Sequence, residues 1–319
     1  MPLTHYKCKP MLPVANRPAI DHVVSRLVAA GIRDIVFALG YRPYDVVSFV
    51  EGYTDIRAEY SVEDEPLGTA GAVKAAVGGY DGDIVVCSAD TLSDLDIGEL
   101  IGAHLRGGAM VTMETTEVND LGAYGEVITD GGLVREVREK LPDNSGRRGI
   151  ANAGTYVLSP RALGYVPAGV PFDFARDLFP YLLRLGRRIC AVRSRGYWRD
   201  MGNLRDYYAA NFDLKRGSPF PEARHIFRPR SRVVGSDLVA SGARVCGGTE
   251  NCIIGEGAVV TGGAKLSSCI VLPGEIVTQS ASGCVIGRDF ALDPLLFGVN
   301  LKNAQDTSNI FRLFAEINL

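Results

Sequence analysis

Two aspartates and one glycine-bearing corner are the residues of this 319-residue chain whose types and placement could do chemistry. Asp90 comes just after the apolar run IVVC, which places it past the C-terminal end of a buried strand, the edge along which open α/β sheets bind ligands. A carboxylate there can hold Mg²⁺ against substrate phosphates. It could equally cap the next helix, a role open to Asp94 and Asp96 as well. Asp200 stands in GYWRDMG, behind an aromatic pair and between glycines, where it could complete a metal site or pair with Arg199 or Arg205. The third feature is EDEPLGTAGAVKAA at 63–76. Pro66 and Gly68 turn the chain, Thr69 can cap, and small Ala70 and Gly71 let a helix N-terminus approach a ligand closely. No basic side chain accompanies those donors before Lys74, so they suit a base edge or ribose better than a phosphate; an ordinary capped helix is the other reading.

The elements that must position these residues alternate. Ala19, Val23, Leu27 and Ala30 make a helical apolar stripe after Pro18, and Gly31 is placed to end it. IVFAL at 35–39 is a short continuous apolar run, the pattern of a strand covered on both faces. Strands at 57–60 and 83–87, with helices at about 43–51 and 69–77, give a βαβ alternation that predicts a mainly parallel sheet sandwiched by helices. Strands follow in MVTMET, YGEVIT, LVREV, ANAGTYVLS and RICAVRS, with helices over 173–185 and 203–215. GSPFPEA at 217–223 has linker composition. The expected domains are 1–217 and 218–319.

Beyond the linker, Ile254, Val260, Leu266 and Leu272 fall six apart, as do Val239 and Val245, and Ile286 and Leu292. This period with interleaved glycine predicts a hexapeptide-repeat parallel β-helix, its register broken near 246–253 and 273–285. Ile310, Leu313, Phe314 and Ile317 are at helical spacing, an apolar face that must pack on the β-helix or a second subunit.

Composition narrows the classes. Hydrophobic content of 46%, charged content of 22% and a net charge of −3 describe an ordinary globular chain with no electrostatic case for nucleic acid or a membrane surface. The N-terminus lacks a secretory layout, and no apolar run reaches roughly 18 residues, so the cytoplasm is the expected compartment. Seven scattered cysteines without a C-x-x-C pair, and four histidines without ligand spacing, predict reduced thiols packed as small apolar side chains.

In order, KCKPMLPV, EPLGTAGA, ADTL, REKLP, NAGTY and YWRDMG resemble the motifs of the sugar-1-phosphate nucleotidyltransferases, or NDP-sugar pyrophosphorylases. The resemblance spans about 200 residues and six motifs. It implies a Rossmann-like nucleotidyltransferase domain followed by a short left-handed parallel β-helix. Carried over by position, Lys9 would neutralise phosphate charge, and Leu67, Gly68 and Thr69 would line the base pocket. Asp90 and Asp200 would coordinate Mg²⁺. Tyr124, Gly125, Glu139 and Asn152 would hold the sugar ring, and Lys140 would contact the sugar phosphate. The substrates would be a nucleoside triphosphate and a sugar-1-phosphate; the expectation of a homo-oligomer rests on the β-helix and the apolar tail. The motif versions, with the β-helix appended, look most like mannose-1-phosphate guanylyltransferases, with glucose-1-phosphate thymidylyl- and uridylyltransferases close behind.

Two motifs are altered: Leu141 intervenes between the EKP lysine and its proline, and the strand-end motif reads SAD in place of NGD or NSD. The resemblance also implies a strand and a G-x-G-T-R-L-x loop immediately before Pro2, so the natural chain is expected to begin upstream of Met1. A chain without that loop would instead suit a catalytically inactive regulatory subunit that binds nucleotide sugar. A hexapeptide acyltransferase is disfavoured, because its usual coil-interface histidine has no counterpart beyond His225.

Overall fold

The computed structural model describes residues 2–5, 7–139, 145–217, 219–220, 224–225, 230–288 and 290–294. Two compact units form. One comprises His22–Trp198 and Phe220–His225, the other Met1–Asp21, Arg199–Pro219 and Ile226–Leu319. In chain order, the hairpin strands β1 (Pro13–Val14) and β2 (Arg17–Pro18) lead into α1 (Ala19–Ala29), β3 (Asp34–Leu39), α2 (Pro43–Val50), β4 (Arg57–Val62), α3 (Gly68–Val77) and β5 (Ile84–Cys87). Next come β6 (Thr91–Ser93), α4 (Ile97–Gly107), β7 (Val111–Val118), β8 (Glu126–Asp130), β9 (Leu133–Arg138) and β10 (Gly149–Leu158). Then follow α5 (Pro160–Leu163), a π-helical turn at Phe174–Leu178, α6 (Phe179–Arg184), β11 (Ile189–Arg193), β12 (Trp198–Asp200) and α7 (Leu204–Lys215).

The first unit is built on a six-stranded sheet of order β5-β10-β7-β11-β9-β8. The expectation of a mainly parallel sheet needs correction. Among the described residues of this sheet only β7 and β11 pair in parallel, because β10, which follows the β8–β9 hairpin, runs antiparallel to both β5 and β7. Strand direction here follows the hairpin connection, which short antiparallel partners favour. The core packs Val111, Met113, Tyr156 and Leu158 of the sheet against Phe174, Phe179 and Leu182.

Strand β3 departs from its sequence pattern too. Among the described residues it pairs with β4 alone, in parallel. Ile35, Phe37 and Leu39 are buried while Val36 between them is 39% exposed. The run IVFAL is therefore covered on one face, since alternate side chains point to opposite sides of a strand. Within and just after the GSPFPEA segment, two described residues are packed. Phe220 is buried against His22 and Tyr197, with ring centroids 5.2 and 6.2 Å away, and His225 stacks on Phe49 at 4.1 Å.

The second unit contains β13 (Ser231–Val234), β14 (Asp237–Ala240), β15 (Arg244–Val245), β16 (Gly248–Glu250), β17 (Ile253–Ile254), β18 (Val259–Val260), β19 (Lys265–Ser267), β20 (Ile270–Val271), β21 (Ile276–Val277), β22 (Ala281–Ser282), β23 (Val285–Gly287) and β24 (Phe290–Leu292). They pair as three parallel stacks, β14-β17-β20-β23, β15-β18-β21 and β16-β19-β22, an arrangement compatible with a β-helix. Antiparallel β13 and β24 flank the first stack and cover its open edges. Ile254, Val260 and Leu266 are buried, as their six-residue period requires.

Val245 is 37% exposed, against expectation, because among the described residues β15 has a partner on one side only. Cys252 and Cys269 pack in the stack's apolar core, whereas Cys246 is exposed and does not share that role. Gly247 marks a close approach: a Cβ there would collide with the backbone carbonyls of Thr261 and Ala264. The apolar tail at 310–317 lies outside the described residues.

Candidate active site

The corner at Leu67–Thr69 is fastened to the segment before the π-helical turn. Phe172 N–H donates to Leu67 O at 2.8 Å, and Phe172 O accepts from Ala70 and Gly71 at 2.9 and 3.0 Å. Leu67 N–H donates to Glu63 Oε2 at 2.6 Å. Gly68 has φ +69°, and a Cβ on it would lie 2.7 Å from Phe172 O. Thr69 Oγ1 donates to Asp173 Oδ2 at 2.8 Å and accepts from Phe174 N–H at 3.0 Å. The α3 donors at residues 70 and 71, expected to face a ligand, are thus engaged within the protein, and the corner is a rigid wall.

Asp90 stands in the turn between β5 and β6. That turn is tied to β10 by Ser88 N–H donating to Gly154 O at 3.0 Å, and Gly154 leaves room that a Cβ would close to 2.9 Å from Ser88 Oγ. The helix-capping role considered for Asp90 belongs to Asp96, whose carboxylate accepts from Gly98 N–H at 2.8 Å at the start of α4.

Four expected sugar-side residues gather around β8, β9 and β10. Asn152 N–H donates to Gly125 O at 2.9 Å. The Asn152 amide is oriented by the Tyr156 hydroxyl, with contacts of 2.8 and 3.0 Å, and by Gly154 N–H at 3.1 Å. Burial pushes the Tyr156 phenol up, so it stays a neutral partner. Gly125 lies beside Glu139: a Cβ on the glycine would be 3.9 Å from Glu139 Oε2. Tyr124 packs edge-on to Trp198 at 5.2 Å, and Trp198 Nε1–H donates to Ala153 O at 3.1 Å. Lys140 lies outside the described residues.

In the second unit Lys9 opens a short 3-10 turn, with Leu12 N–H donating to Lys9 O at 3.1 Å. Asp200 ends β12. A Cβ on Gly202 would sit 3.1 Å from Asp200 Oδ2, so the Gly202 backbone passes close to the carboxylate and glycine avoids crowding it. Helix α7 braces both segments. Its Asn211 Oδ1 accepts from Ala15 N–H at 2.9 Å and its Tyr207 hydroxyl donates to Pro13 O at 2.7 Å, just past Lys9. Asn203 caps it, accepting from Asp206 N–H at 2.9 Å.

Sequence reasoning missed a buried polar cluster behind the Asp90 turn. Glu114 on β7 is fully buried, accepts from Ser93 Oγ, and has Arg26 Nη2 3.7 Å from its other oxygen. Arg26 also donates to Leu95 O at 3.1 Å. Burial raises the Glu114 pKa, with Arg26 opposing, and pushes the nearby Cys87 thiol up to about 11. The only advance signal was a glutamate inside the strand run MVTMET.

The donor set fits one kind of cation site. Among the described residues no group of three or more His, Cys, Asp or Glu could form a metal cage. The candidates are single carboxylates, the hard donors used by Mg²⁺ when substrate phosphates and water complete its shell.

A Rossmann-like α/β sheet, a glycine corner before a helix and a carboxylate past a strand end define a nucleotide-handling enzyme fold. The sequence profile described as nucleotidyl transferase matches residues 1–217, and the chain belongs to that family, among the sugar-1-phosphate nucleotidyltransferases. A mannose-1-phosphate guanylyltransferase from Mycobacterium tuberculosis (strain ATCC 25618 / H37Rv) is 34% identical over 293 residues, covering 90% of this chain and 79% of that protein. The crystal structure of HddC from Yersinia pseudotuberculosis complexed with GMP-PN superposes with a TM-score of 0.57 at 28% identity, over 65% of this chain and 89% of that one. A putative glucose-1-phosphate thymidylyltransferase from Bacillus anthracis shares the fold, with a TM-score of 0.60 at 23% identity over 66% and 87% of the chains.

Proposed function

We propose that this enzyme joins a nucleoside triphosphate to a sugar-1-phosphate, releasing pyrophosphate, and that its pair is GTP and mannose-1-phosphate. The observation that carries the pair is the 34% identity to a mannose-1-phosphate guanylyltransferase across 90% of the chain. In the reaction a phosphate oxygen of the sugar-1-phosphate attacks the α-phosphorus, and the bond to the β-phosphate oxygen breaks. The attacking oxygen is already anionic, so positioning and charge neutralisation carry the rate, without a general base.

Leu67, Gly68 and Thr69 form the wall for the base. Tyr124, Gly125, Glu139 and Asn152 orient the sugar, the Asn152 amide being held ready by Tyr156. Lys9 and Lys140 neutralise phosphate charge, and Asp90 and Asp200 are the carboxylates assigned to Mg²⁺. When bound, Mg²⁺ supplies charge neutralisation on the triphosphate. The parallel stacks after residue 230 are read as a left-handed β-helix supporting a homo-oligomer, and the enzyme as cytoplasmic. The six-residue burial period of Ile254, Val260 and Leu266 supports the coil.

The test is pyrophosphate release with Mg²⁺ for GTP, dTTP and UTP against mannose- and glucose-1-phosphate. GTP with mannose-1-phosphate should be preferred. Preference for dTTP or UTP with glucose-1-phosphate would replace the substrate assignment, and silence with every pair would leave the regulatory-subunit reading in its place.

A further inference from the structure

We propose that Arg199 is a positioning residue for Asp200, clasping the strand that carries this carboxylate to helix α7. The inference rests on the reading above that Asp200 serves the cation. In YW-x-D-x-G the residue before the aspartate has no assigned type, so the family resemblance gives Arg199 no role. The geometry gives it one. Arg199 Nη1 donates to Asp206 Oδ1 at 3.1 Å, while its Nε donates to Asp213 Oδ2 at 3.1 Å and Nη2 lies 3.0 Å from the same oxygen.

Asp206 and Asp213 are seven residues apart on α7, close to two helical turns, so both face the same way. One guanidinium therefore spans two turns of the helix. A lysine, a single point charge, could not reproduce that fork. The side chains are 29%, 22% and 35% exposed, so the cluster is partly shielded from solvent.

Asp206 is itself fixed. Asn203 Nδ2 donates to Asp206 Oδ2 at 2.6 Å, and Asn203 Oδ1 accepts from Asp206 N–H. Between Asp200 and the Asn203 cap lie only Met201, fully buried, and Gly202, whose backbone closes on Asp200. Side chains alternate along a strand, so Arg199 and Asp200 leave opposite faces of β12. The clasp therefore holds the strand from the face opposite the carboxylate. Outer partners that orient a ligand in this way commonly matter almost as much as the ligand itself.

The experiment compares wild type with Arg199→Leu, Arg199→Lys, Asp213→Asn and Asp200→Asn. Mn²⁺ binding in the presence of GTP is read by EPR, alongside kcat and KM. Arg199→Leu should weaken Mn²⁺ and lower kcat by about 10-fold or more, with KM for mannose-1-phosphate little changed. Arg199→Lys should recover part of both losses. Wild-type Mn²⁺ affinity and kcat in Arg199→Leu, beside a dead Asp200→Asn, would overturn the clasp. An Asp200→Asn protein with unaltered Mn²⁺ binding would instead overturn the cation reading on which the clasp rests. Circular dichroism reports folding. If Arg199→Leu does not fold, Arg199→Lys and Asp213→Asn decide by the same two readouts, wild-type values in both overturning the proposal.

Discussion

The Thr69 hydroxyl donates to the Asp173 carboxylate at 2.8 Å and accepts the Phe174 N–H at 3.0 Å, so a single side chain joins the start of α3 to the start of the π-helical turn. Thr69→Val keeps the shape and removes both bonds. The Asp173 carboxylate still caps its own turn through Ala175 and Arg176 N–H. What is lost is one hydrogen bond and the partner of one backbone donor, about 1–2 kcal/mol. Thr69→Ser should retain most of it. Equal unfolding midpoints in urea for Thr69→Val and wild type would show that the Phe172 backbone bonds hold the corner unaided.

Gly68 presents a stricter constraint. Its φ of +69° disfavours any side chain, and an added Cβ would meet the Phe172 carbonyl at 2.7 Å. A carbonyl already bonded to two N–H groups cannot step aside cheaply. Gly68→Ala should therefore lose about 2 kcal/mol or more, combining left-handed strain with a backbone clash. Because the shift would move the wall assigned to the base, GTP affinity should fall with it. Calorimetric melting and GTP titration check the two effects separately. Unchanged melting would contradict the packing described for this corner.

Glu114 makes stability depend on pH. Burial raises its folded-state pKa above the ordinary 4.5, while Arg26 on α1, Ser93 and Thr155 pull it down and Asp94 pushes it up. The sign follows from the direction. A carboxyl whose pKa is higher in the folded state binds its proton more tightly there. Its contribution is complete below about 4.5 and is lost as pH rises through the folded-state value. Glu114→Gln cannot ionise. The stability of wild type relative to this variant should be greatest in acid and shrink as pH rises. Urea denaturation at a series of pH values gives the difference directly, and parallel curves would remove Glu114 as the source.

The order of helices and strands was legible because apolar period and turn residues act locally. The positions of α3, α7 and β7 to β11 all follow from such patterns. Strand direction was not, since nothing in ANAGTYVLS states that it returns antiparallel between β5 and β7. The IVFAL run looked buried on both faces because composition reports apolarity, whereas coverage depends on which elements pack alongside. At the site, Asn152, Gly125 and Glu139, which three separate motifs assign to the sugar, stand as neighbours. The partner of Thr69 lies 104 residues away, and the Arg26–Glu114 pair joins a helix to a strand. Both are tertiary facts with no sequence period.

Asn211 supplies a test of how α7 supports the Lys9 segment. It is fully buried, with Oδ1 accepting from Ala15 N–H at 2.9 Å and Nδ2 donating to Tyr207 O at 3.0 Å. Ala15 and Asn16 adopt φ of 48° and 65°, a left-handed pair costly for residues with a Cβ, so the β1–β2 turn needs outside support. Asn211→Leu fills nearly the same volume but leaves the half-buried Ala15 N–H without its acceptor, a loss of about 1–2 kcal/mol. Tyr207→Phe removes only the bond to Pro13 O and should cost about 1 kcal/mol. Ala15→Gly relieves the left-handed strain and should restore part of the Asn211→Leu loss. Unfolding free energies of the single and double variants check the coupling. Additive effects would mean that Asn211 stabilises α7 itself, and that the turn keeps its conformation without it.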